Sequence, residues 1–493
     1  MAKQRRIIYN DDGDAQYGDW NPQAEEGVQG FLSARFSPTV GTQVDTYFWC
    51  IGNGQEPPWG KTPPEAIGDA NQVMVEAAHN AGMEIFASLR MNDIHDAWAA
   101  QLTYPLKVQR PDLLIGKQYW PQGYPHLLEG EKPQPRGGYP ADATLRAFWS
   151  AFDYAKQEVR DHRYEYIMKI AQRYDFDGFE LDYFRHPLFF KPGEEQENLD
   201  TMTQFIRRVR QGLNEIGRKR GRPYLLAVRV PSSPGQALRT GLDVETWLAE
   251  GLIDILVPNP GYQPYTDSYK AFIDMGHRYD VPVYPCFNCS AIARMPNQDL
   301  AAEKIRSVAS NFWALGADGV YLFNFFVPGD LDKEGKWDKA MAHSWLNEIG
   351  SPETLQGLDK LYLPDNGAST FYIGYGNAPR RFPIRLVDGT PIPLVVGDDV
   401  QSASQAGTID EMRLRVEVRN IDESEGIAIR INDVRLPPEK IQRVEERAFE
   451  ATVTAPPLHR GSNEIVVLPG LNSTGRLSSE VTGLQLAVRY KHD

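Results

Sequence analysis

The sequence predicts an α/β fold, namely a (β/α)8 TIM barrel followed by a C-terminal antiparallel β-sandwich. Up to about residue 350, short apolar runs alternate with amphipathic helical stretches, as in parallel strands joined by crossover helices. Most of these runs end in polar, aromatic or Pro-rich sequence instead of a tight hairpin turn. Beyond that point the segments alternate apolar with polar residues and are separated by turn-rich pieces, which is typical of antiparallel sheets.

Eight apolar runs are the predicted barrel strands. The helix predicted over 159–174 places its apolar residues on one stripe and leads into the fourth strand. Before the sixth strand, Asp243 is a predicted N-cap and Gly251 a predicted helix stop. These eight strand–helix units define a predicted catalytic barrel over 1–350. The strands begin near Arg6, Thr46, Met83, Phe176, Tyr224, Ile253, Val281 and Gly319.

The second predicted domain, over 370–493, is a jelly-roll-like β-sandwich with an accessory role. Segments such as EMRLRVEVRN and LQLAVRY alternate strictly, and pieces such as VDGTPIP separate them. No aromatic platform for sugar is evident, so bracing of the barrel is favoured over sugar binding. A long connection over 101–149, rich in Pro, Gly, Tyr and Trp, either roofs a binding site or packs on the barrel edge.

Composition and charge exclude several classes of function. The 493 residues carry 52 Lys and Arg against 66 Asp and Glu, a net charge of −14, so no nucleic-acid partner is expected. No stretch approaches the ~18 to 20 apolar residues of a membrane span, so no membrane partner is expected. The first residues lack the apolar segment of a secretory signal, which predicts a cytoplasmic protein, or a secreted or periplasmic one if a signal peptide was removed.

The cysteines predict neither a disulfide framework nor a zinc site. Cys286 and Cys289 form a lone C-x-x-C, and Cys50 is the third cysteine of the chain. No metal and no cofactor are therefore expected. Oligomeric state is left open.

The strongest cluster of chemical groups lies in the fourth strand, DGFELDYFRHP over 177–187. Side chains alternate along a strand, so Glu180 and Asp182 point to one side and the apolar residues between and beside them to the other. The apolar set needs the helix layer, which places both carboxylates toward the barrel axis. Asp182 lies nearer the mouth, and Glu180 one layer deeper. For Glu180, the alternative is a buried salt bridge with an interior arginine such as Arg229.

The third strand ends in RMNDIHD, which places Arg90, Asn92, Asp93 and His95 at one exit. Guanidinium, amide, carboxylate and imidazole together suit a polyhydroxylated or anionic ligand, because each hydroxyl needs both a donor and an acceptor. A capped loop satisfied by its own backbone is the alternative. Asp93 is a candidate second carboxylate for acid–base chemistry.

The first strand ends in NDDGD, where Asp11 and Asp12 are candidates to hold sugar hydroxyls, to ligate a divalent cation or to form an Asx-turn. Asp-Asp-Gly is faintly similar to a motif of polysaccharide deacetylases. The H-x-x-x-H metal pair of those enzymes is not found in the sequence, so a deacetylase is not favoured.

Amides, aromatics and basic residues recur at the remaining strand exits. Taken singly, each is better explained by packing, but their recurrence resembles a carbohydrate cleft in which rings stack on aromatic faces and amides fix hydroxyls. The arginines suit an anionic group such as uronate or sulfate, although interior salt bridges explain them as readily. The predicted substrate-binding residues at these exits are Trp49, Arg185, His186, Arg229, Asn259, Tyr262 and Asn324.

The run FDYAKQEVRDHRYEYIMKIAQRYDFDGFELDYFRHP over 152–187 resembles the glycosyl hydrolase family 10-like barrel proteins. The shared pattern is a V-R-D helix, then Y-D-x-D-G, then an acid and an aromatic residue followed by Pro. The segment GLDVETWLAEGLIDILVPNPGY and the opening strand are similar to that group as well. The resemblance implies a glycoside hydrolase-like barrel with Asp182 at the active site. Family members often carry two adjacent acids, whereas here Tyr183 follows Asp182.

The sequence therefore predicts a glycoside hydrolase that acts on a poly- or oligosaccharide. Such enzymes use two carboxyl groups, ~5 to 5.5 Å apart for retention or ~6.5 to 9.5 Å apart for inversion. Glu180 and Asp182 lie on one strand and stack along the barrel axis, which suits this poorly. Asp182 is predicted as nucleophile or oxocarbenium stabiliser, with Asp93 as the leading proton donor. The alternatives are a non-catalytic carbohydrate-binding barrel and a metal-dependent hydrolase built on Asp11 and Asp12.

Overall fold

A ring of parallel strands forms in the computed structural model, which describes residues 4–19, 21–97, 102, 104–116, 150–191, 193–261, 263–266, 268–293, 295, 300–325, 339–365, 381–471 and 477–491. The strands run in the order β6-β5-β4-β3-β2-β1-β8-β7, and a parallel bridge between Leu256 and Val283 joins the two ends. The predicted TIM barrel is confirmed. Its strands are β1 (Ile7–Asp11), β2 (Val44–Cys50), β3 (Glu84–Arg90), β4 (Gly178–Asp182), β5 (Leu225–Pro231), β6 (Ile255–Asn259), β7 (Cys286–Asn288) and β8 (Val320–Phe323).

The seventh strand is shorter than the apolar run that predicts it. The run begins at Val281, but β7 begins only at Cys286. Pro282 and Pro285 have no N–H group to donate to a neighbouring strand, so the ladder with β6 is not formed along the whole run. The seam is held instead by two bonds of Leu256, whose N–H donates to the Pro282 carbonyl at 3.1 Å and whose carbonyl accepts from Tyr284 at 2.9 Å.

The helices predicted to connect the strands are present. The helix predicted over 159–174 is α4, which ends at Arg173. Asp243 caps α7 by accepting from the backbone N–H of Thr246, and Gly251, with a φ of 63°, follows the helix. The helices with described bounds are α1 (Val28–Arg35), α2 (Ala70–Asn80), α3 (Pro105–Gln109), α4 (Gln157–Arg173), α5 (Leu199–Arg220), α6 (Pro234–Arg239), α7 (Val244–Ala249), α8 (Lys270–Arg278), α9 (Cys289–Ala293), α10 (Ala301–Ala314), α11 (Lys339–Ser344), α12 (Pro352–Leu355) and α13 (Val400–Gln405).

The barrel interior is apolar at the end where the strands begin. Ile8, Phe48 and Phe86 belong to a buried cluster inside the ring, and the two phenylalanine rings stack with centroids 4.5 Å apart. Gly178 of β4 makes this packing possible, since a Cβ at that position would lie 2.2 Å from a ring carbon of Phe86. Along β4 the inner face then changes from this glycine to Glu180 and Asp182, so β4 carries its charge in the upper layers, while at the opposite end of the barrel Glu84 of β3 pairs with Arg5 at 2.7 Å.

Two antiparallel sheets follow the barrel and confirm the predicted β-sandwich. One sheet has the order β10-β18-β12-β16-β15, with β9 paired to β18, and the other has the order β11-β17-β13-β14. The first sheet includes β9, which lies before residue 370, where the predicted domain begins. Jelly-roll connectivity stays a prediction. The strands are β9 (Lys360–Tyr362), β10 (Ile384–Arg385), β11 (Ile392–Val396), β12 (Ile409–Arg419), β13 (Ile427–Ile431), β14 (Val434–Arg435), β15 (Ile441–Glu445), β16 (Ala448–Thr452), β17 (Gly461–Pro469) and β18 (Glu480–Tyr490).

The sandwich packs on α10, the crossover helix between β7 and β8. Ser307 donates to the carbonyl of Leu361 at 2.7 Å, Ser310 donates to the Asp398 carboxylate at 2.9 Å, and Asn311 donates to a carbonyl of β11 at 3.2 Å. The sandwich therefore contacts the outer wall of the barrel. Among the described residues, none of the helices combines the length and the apolar character that crossing a bilayer requires.

Candidate functional site

Asp182 ends β4 on the inner face of the barrel, and all of its oxygen atoms are engaged. Its Oδ1 accepts from the backbone N–H groups of Phe184 at 2.9 Å and Arg185 at 3.0 Å, and from Nε of Arg229 at 3.1 Å. Its Oδ2 pairs with Nη2 of the same arginine. The side chain is fully buried. Such a bidentate pair fixes the carboxylate in one orientation.

Glu180 lies one layer deeper and is also fully buried. Ser88 and Tyr321 donate hydrogen bonds to its carboxyl group, the latter at 2.9 Å, and Arg229 lies 3.6 Å away. Burial raises the pKa of Glu180 from 4.5 to about 7, against the attraction of Arg229. These contacts are those of the alternative role for Glu180, a buried salt bridge with Arg229. Glu180 lies below the barrel mouth, one layer deeper than Asp182.

Arg90 joins carboxylates from two strand exits. One guanidinium nitrogen lies 2.9 Å from Asp12, which follows β1, and another lies 2.9 Å from Asp93, which follows β3. Arg185 approaches the second oxygen of Asp12 at 3.4 Å. Burial raises the pKa of Asp12, but Arg185 and Arg90 outweigh it and hold that pKa below its ordinary value. The Asp12 side chain is 14% exposed, so it is reachable from the mouth.

Asp93 is held as an anion by its neighbours. Its Oδ1 lies 2.7 Å from Nδ1 of His95 and accepts from the backbone N–H of the same residue at 2.9 Å. Burial raises the pKa of Asp93, but His95 and then Arg90 lower it well below its ordinary value. A carboxyl group with a depressed pKa is poorly suited to deliver a proton at neutral pH. His186 packs edge-on against His95, with ring centroids 5.0 Å apart, so two imidazoles and one carboxylate meet here.

Asp11 points away from the barrel axis, which corrects its prediction as a substrate ligand. It accepts from Arg35 at 2.8 Å, from the hydroxyl of Tyr47 at 2.6 Å and from the N–H of Gly13 at 2.8 Å, the last of these being the predicted Asx-turn. Side chains alternate in direction along β1, so Asp12 points inward and Asp11 points outward. With Arg35 and Tyr47 already bound, Asp11 does not form the cation site considered for it.

Asp14 completes the exit of the first strand. It pairs with Arg35 at 2.5 Å, and its side chain is 23% exposed. Burial raises the pKa of Asp14, with Arg35 opposing and the nearby carboxylates of Asp12 and Asp11 reinforcing the rise. Arg35 comes from α1 and was not anticipated, because a pairing between a helix residue and a distant strand exit leaves no local pattern.

Two further predicted ligands are structural residues. Trp49 is fully buried on the outer side of β2, where its indole donates to Asn71 at 2.9 Å, because Phe48 occupies the inner face. The Asn92 side chain donates to the carbonyls of Phe152 and Leu188 and accepts from the N–H of Phe152, so it fastens loop backbone as in the capped-loop alternative. Both residues are removed from the set of substrate ligands.

A small pocket opens at the mouth beside Asp182. Asn259 is fixed there by accepting from the N–H of Gly261 at 2.7 Å. The guanidinium groups of Arg185 and Arg229 lie 5.4 and 5.1 Å from the centre of the Phe323 ring. Asn324 follows with a left-handed φ of 53° and is partly exposed, and Tyr262 lies outside the described residues. The pocket is lined by Phe184, Arg185, Arg229, Asn259, Gly261 and Phe323.

No protein-family model and no curated protein matches the chain. Among solved structures, it is similar to an α-amylase from Anoxybacillus, with 12% identity, a TM-score of 0.41 and coverage of 95% of this chain and 99% of the other. It is also similar to endo-glycoceramidase II from Rhodococcus sp., with 14% identity, a TM-score of 0.44 and coverage of 95% of this chain and 98% of the other. A third similar structure is the PgaB glycoside hydrolase domain from Bordetella bronchiseptica, with 11% identity, a TM-score of 0.40 and coverage of 71% of this chain and 99% of the other. At these low identities and TM-scores, the function proposed below rests on the side chains of the site.

Proposed function

We propose that the protein is a glycoside hydrolase acting on a poly- or oligosaccharide. One observation carries the proposal: Asp12, Asp93 and Asp182 come from three strand exits and converge at the end of the barrel where such folds do chemistry. Carboxylates interleaved with guanidinium groups supply the acceptors and donors that sugar hydroxyls need. The resemblance to glycosyl hydrolase family 10-like proteins, centred on the fourth strand, supports the same proposal.

Substrate binding is assigned to the side chains that surround the pocket. Arg185, Asn259 and Phe323 offer a charged donor, an amide and an aromatic face around one opening of about 10 Å³, which is large enough for a single hydroxyl group of a sugar and not for its ring. The proposed binding set also keeps three residues because the sequence places them after neighbouring strands, namely His186, Asn324 and Tyr262.

The two catalytic roles are assigned on different grounds, that of Asp182 from its fixed orientation and that of the proton donor from pKa and exposure. Asp182 is the nucleophile or oxocarbenium stabiliser, because Arg229 and two backbone N–H groups hold its carboxylate in place. Asp93 remains charged at neutral pH, so its predicted role as proton donor is transferred to Asp14. Asp14 is proposed instead because burial raises its pKa and its side chain is partly exposed, and the Arg35 guanidinium opposes that rise without reversing it.

The substitution Asp182→Asn tests the first role. Turnover is measured as reducing sugar released from a panel of plant and algal glycans, and it is expected to fall by at least about 1000-fold. The matched control is Asp177→Asn, because Asp177 precedes the same strand at its opposite end, where it pairs with Arg222 at 2.6 Å. The control is expected to keep its turnover. Circular dichroism at the assay temperature shows that both variants are folded. Turnover of Asp182→Asn at the wild-type rate contradicts the assignment.

The proton donor is identified with two aryl glycosides that differ in leaving-group acidity. Asp14→Asn is expected to lose turnover of the poor leaving group and to retain most turnover of the good one, because the latter leaves without a proton. Asp93→Asn serves as the comparison. If Asp93→Asn alone shows this selective loss, the donor is Asp93 and the assignment to Asp14 is wrong.

A non-catalytic carbohydrate-binding barrel is the second candidate. It is favoured by one observation, namely that the Asp182 and Glu180 side chains are fully buried and engaged with Arg229, as purely structural ion pairs would be. An oligosaccharide that binds by calorimetry and is still intact by mass spectrometry after days of incubation would establish this candidate and exclude hydrolysis of that glycan.

A further inference from the structure

Three side chains with metal-ligating atoms meet beside the third strand exit. Asp93, His95 and His186 each bring one ligand atom to a common region in which all three atoms lie within 4.8 Å of one another. His95 and His186 are far apart in the chain, so β3 and β4 must be neighbours for the cluster to form. We propose that these three residues bind one divalent transition-metal ion, such as Zn²⁺ or Fe²⁺, at the barrel mouth.

The donor set selects the class of ion. Two imidazoles and one carboxylate are the ligands of catalytic zinc sites and of mononuclear non-haem iron sites, whereas Ca²⁺ and Mg²⁺ prefer oxygen ligands alone. Three protein ligands leave at least one coordination position for water or for a substrate oxygen. The site goes beyond the proposed glycosidase activity, with which it shares Asp93 and His186, whereas Asp182 and Asp14 take no part in it.

The surroundings orient two of the three ligands. Arg90 donates to Oδ2 of Asp93 at 2.9 Å, which turns Oδ1 toward His95. The Nδ1 atom of His186 lies 3.4 Å from the backbone N–H of Ile94, which donates to it, and 3.4 Å from the carbonyl oxygen of Asn92. Such contacts of a carboxylate with a guanidinium group and of an imidazole with backbone groups hold the two side chains in position.

The distances require a small adjustment when an ion binds. With bonds of about 2.0 to 2.1 Å, donor atoms in a tetrahedral site lie about 3.4 Å apart. The widest pair of ligand atoms must therefore close by roughly 1 Å or somewhat more, whereas Oδ1 of Asp93 and Nδ1 of His95, now 2.7 Å apart, must separate by roughly 0.7 Å if both bind the ion. His95 is the ligand that can move, because its side chain is 30% exposed, whereas Asp93 and His186 are buried.

Nearby positive charge does not prevent cation binding. Arg90 and Arg185 are the guanidinium groups close to His186, and both pair with Asp12. Arg90 is neutralised further by Asp93 itself. Asp93 is therefore shared between Arg90 and a bound ion, and Asp12 remains the second counter-ion of Arg90 and Arg185.

Metal binding is tested on the full chain after treatment with a chelator. Titration with Zn²⁺, followed by calorimetry, is expected to show one ion per chain with a dissociation constant in the micromolar range or tighter. Co²⁺ is expected to give visible absorption of a site with imidazole ligands. Each of Asp93→Asn, His95→Gln and His186→Gln is expected to weaken Zn²⁺ binding by more than about 100-fold, beyond what loss of an outer contact costs.

The matched control is His277→Gln. His277 also forms a histidine–carboxylate pair, with Asp318 at 2.9 Å, but it lies on α8. Its substitution is expected to leave affinity and stoichiometry unchanged. Circular dichroism confirms that each variant is folded, and His95→Gln, at the most exposed ligand, is the variant least disturbing to the fold. Absence of stoichiometric binding, or equal binding by wild type and all three ligand variants, overturns the proposal.

Discussion

The arginine–carboxylate pairs at the barrel mouth and those on the sandwich strands β12, β16 and β18 differ in burial. At the barrel mouth, Arg90 and Arg229 pair with carboxylates whose side chains are 14% exposed at most. In the sandwich, Arg413, Arg415 and Arg419 pair with glutamates on the outer faces, and the core between the sheets is built of apolar side chains. Buried pairs lose hydration that exposed pairs keep, so a buried network does not persist for stability alone. Its position at the carboxyl ends of the strands fits the site proposed there.

Removing one partner of the buried network is expected to have the largest effect. Arg229→Met leaves Asp182 and Glu180 buried without their guanidinium partner, and the free energy of unfolding should fall by about 3 to 5 kcal/mol. The measurement is urea unfolding followed by tryptophan fluorescence. Its control is Arg415→Met, because Arg415 pairs with Glu450 on the sandwich surface, where a loss below about 1 kcal/mol is expected. Equal losses in the two variants would remove the distinction between the two regions.

The next effect concerns the apolar floor of the barrel. Gly178→Ala places a Cβ 2.2 Å from the stacked ring of Phe86, and overpacking of this severity should cost about 3 kcal/mol of unfolding free energy. Gly483→Ala in β18 meets only the end of the Glu417 side chain, at 3.0 Å, which can move aside. The change in melting temperature should therefore be large in the first variant and small in the second. The reverse order would show that the sandwich, and not the barrel, is the tightly packed unit.

The pH dependence of the unfolding free energy tests the effect of burial on Glu180 of the barrel. Burial raises its pKa from 4.5 in the unfolded chain to about 7, so the folded protein holds a proton that the unfolded chain releases between these values. Stability linked to this group is present below pH 4.5 and is lost as the pH rises through 7. Relative to wild type, Glu180→Gln should gain on the order of 2 kcal/mol between pH 5 and pH 8. A difference that does not vary with pH would show that Glu180 titrates normally.

The smallest effect is expected on the sandwich surface. Arg419→Met removes a pair with Glu480 in which the arginine side chain is 49% exposed, so the free energy of unfolding should change by less than about 1 kcal/mol. Repeating the measurement in about 1 M salt should reduce even this difference, because salt screens exposed charges. A larger, salt-independent loss would mean that the sandwich also depends on its ion pairs.

The barrel could be predicted because its signals are local. Apolar runs and helical stripes locate every strand, and the one displaced strand, β7, is explained by Pro282 and Pro285, which interrupt its ladder. Alternation along β4 places Glu180 and Asp182 inside the ring. The same rule, applied to β1 and β2, turns Asp11 and Trp49 outward, so their prediction as substrate ligands from position at a strand exit is wrong.

Contacts between distant segments could not be predicted from the sequence. Arg35 binds Asp11 and Asp14 from a helix that carries no motif, and the meeting of His95 with His186 depends on how two loops pack. Depressed pKa values also depend on such contacts and therefore could not be predicted from the sequence. Asp93 looks like any other acid in the sequence, and only the arrangement of His95 and Arg90 around it makes it a poor proton donor.

Helix α10 determines whether the two units can exist apart. Ile305 and Phe312 belong to the barrel core, whereas Ser310 and Asn311 bind the sandwich from the same helix. If the chain were cut between residues 350 and 381 and the sandwich removed, polar groups of this helix would lose the hydrogen-bond partners that the sandwich provides. The intact chain should melt in a single transition, because separating the two units would leave these polar groups without their partners.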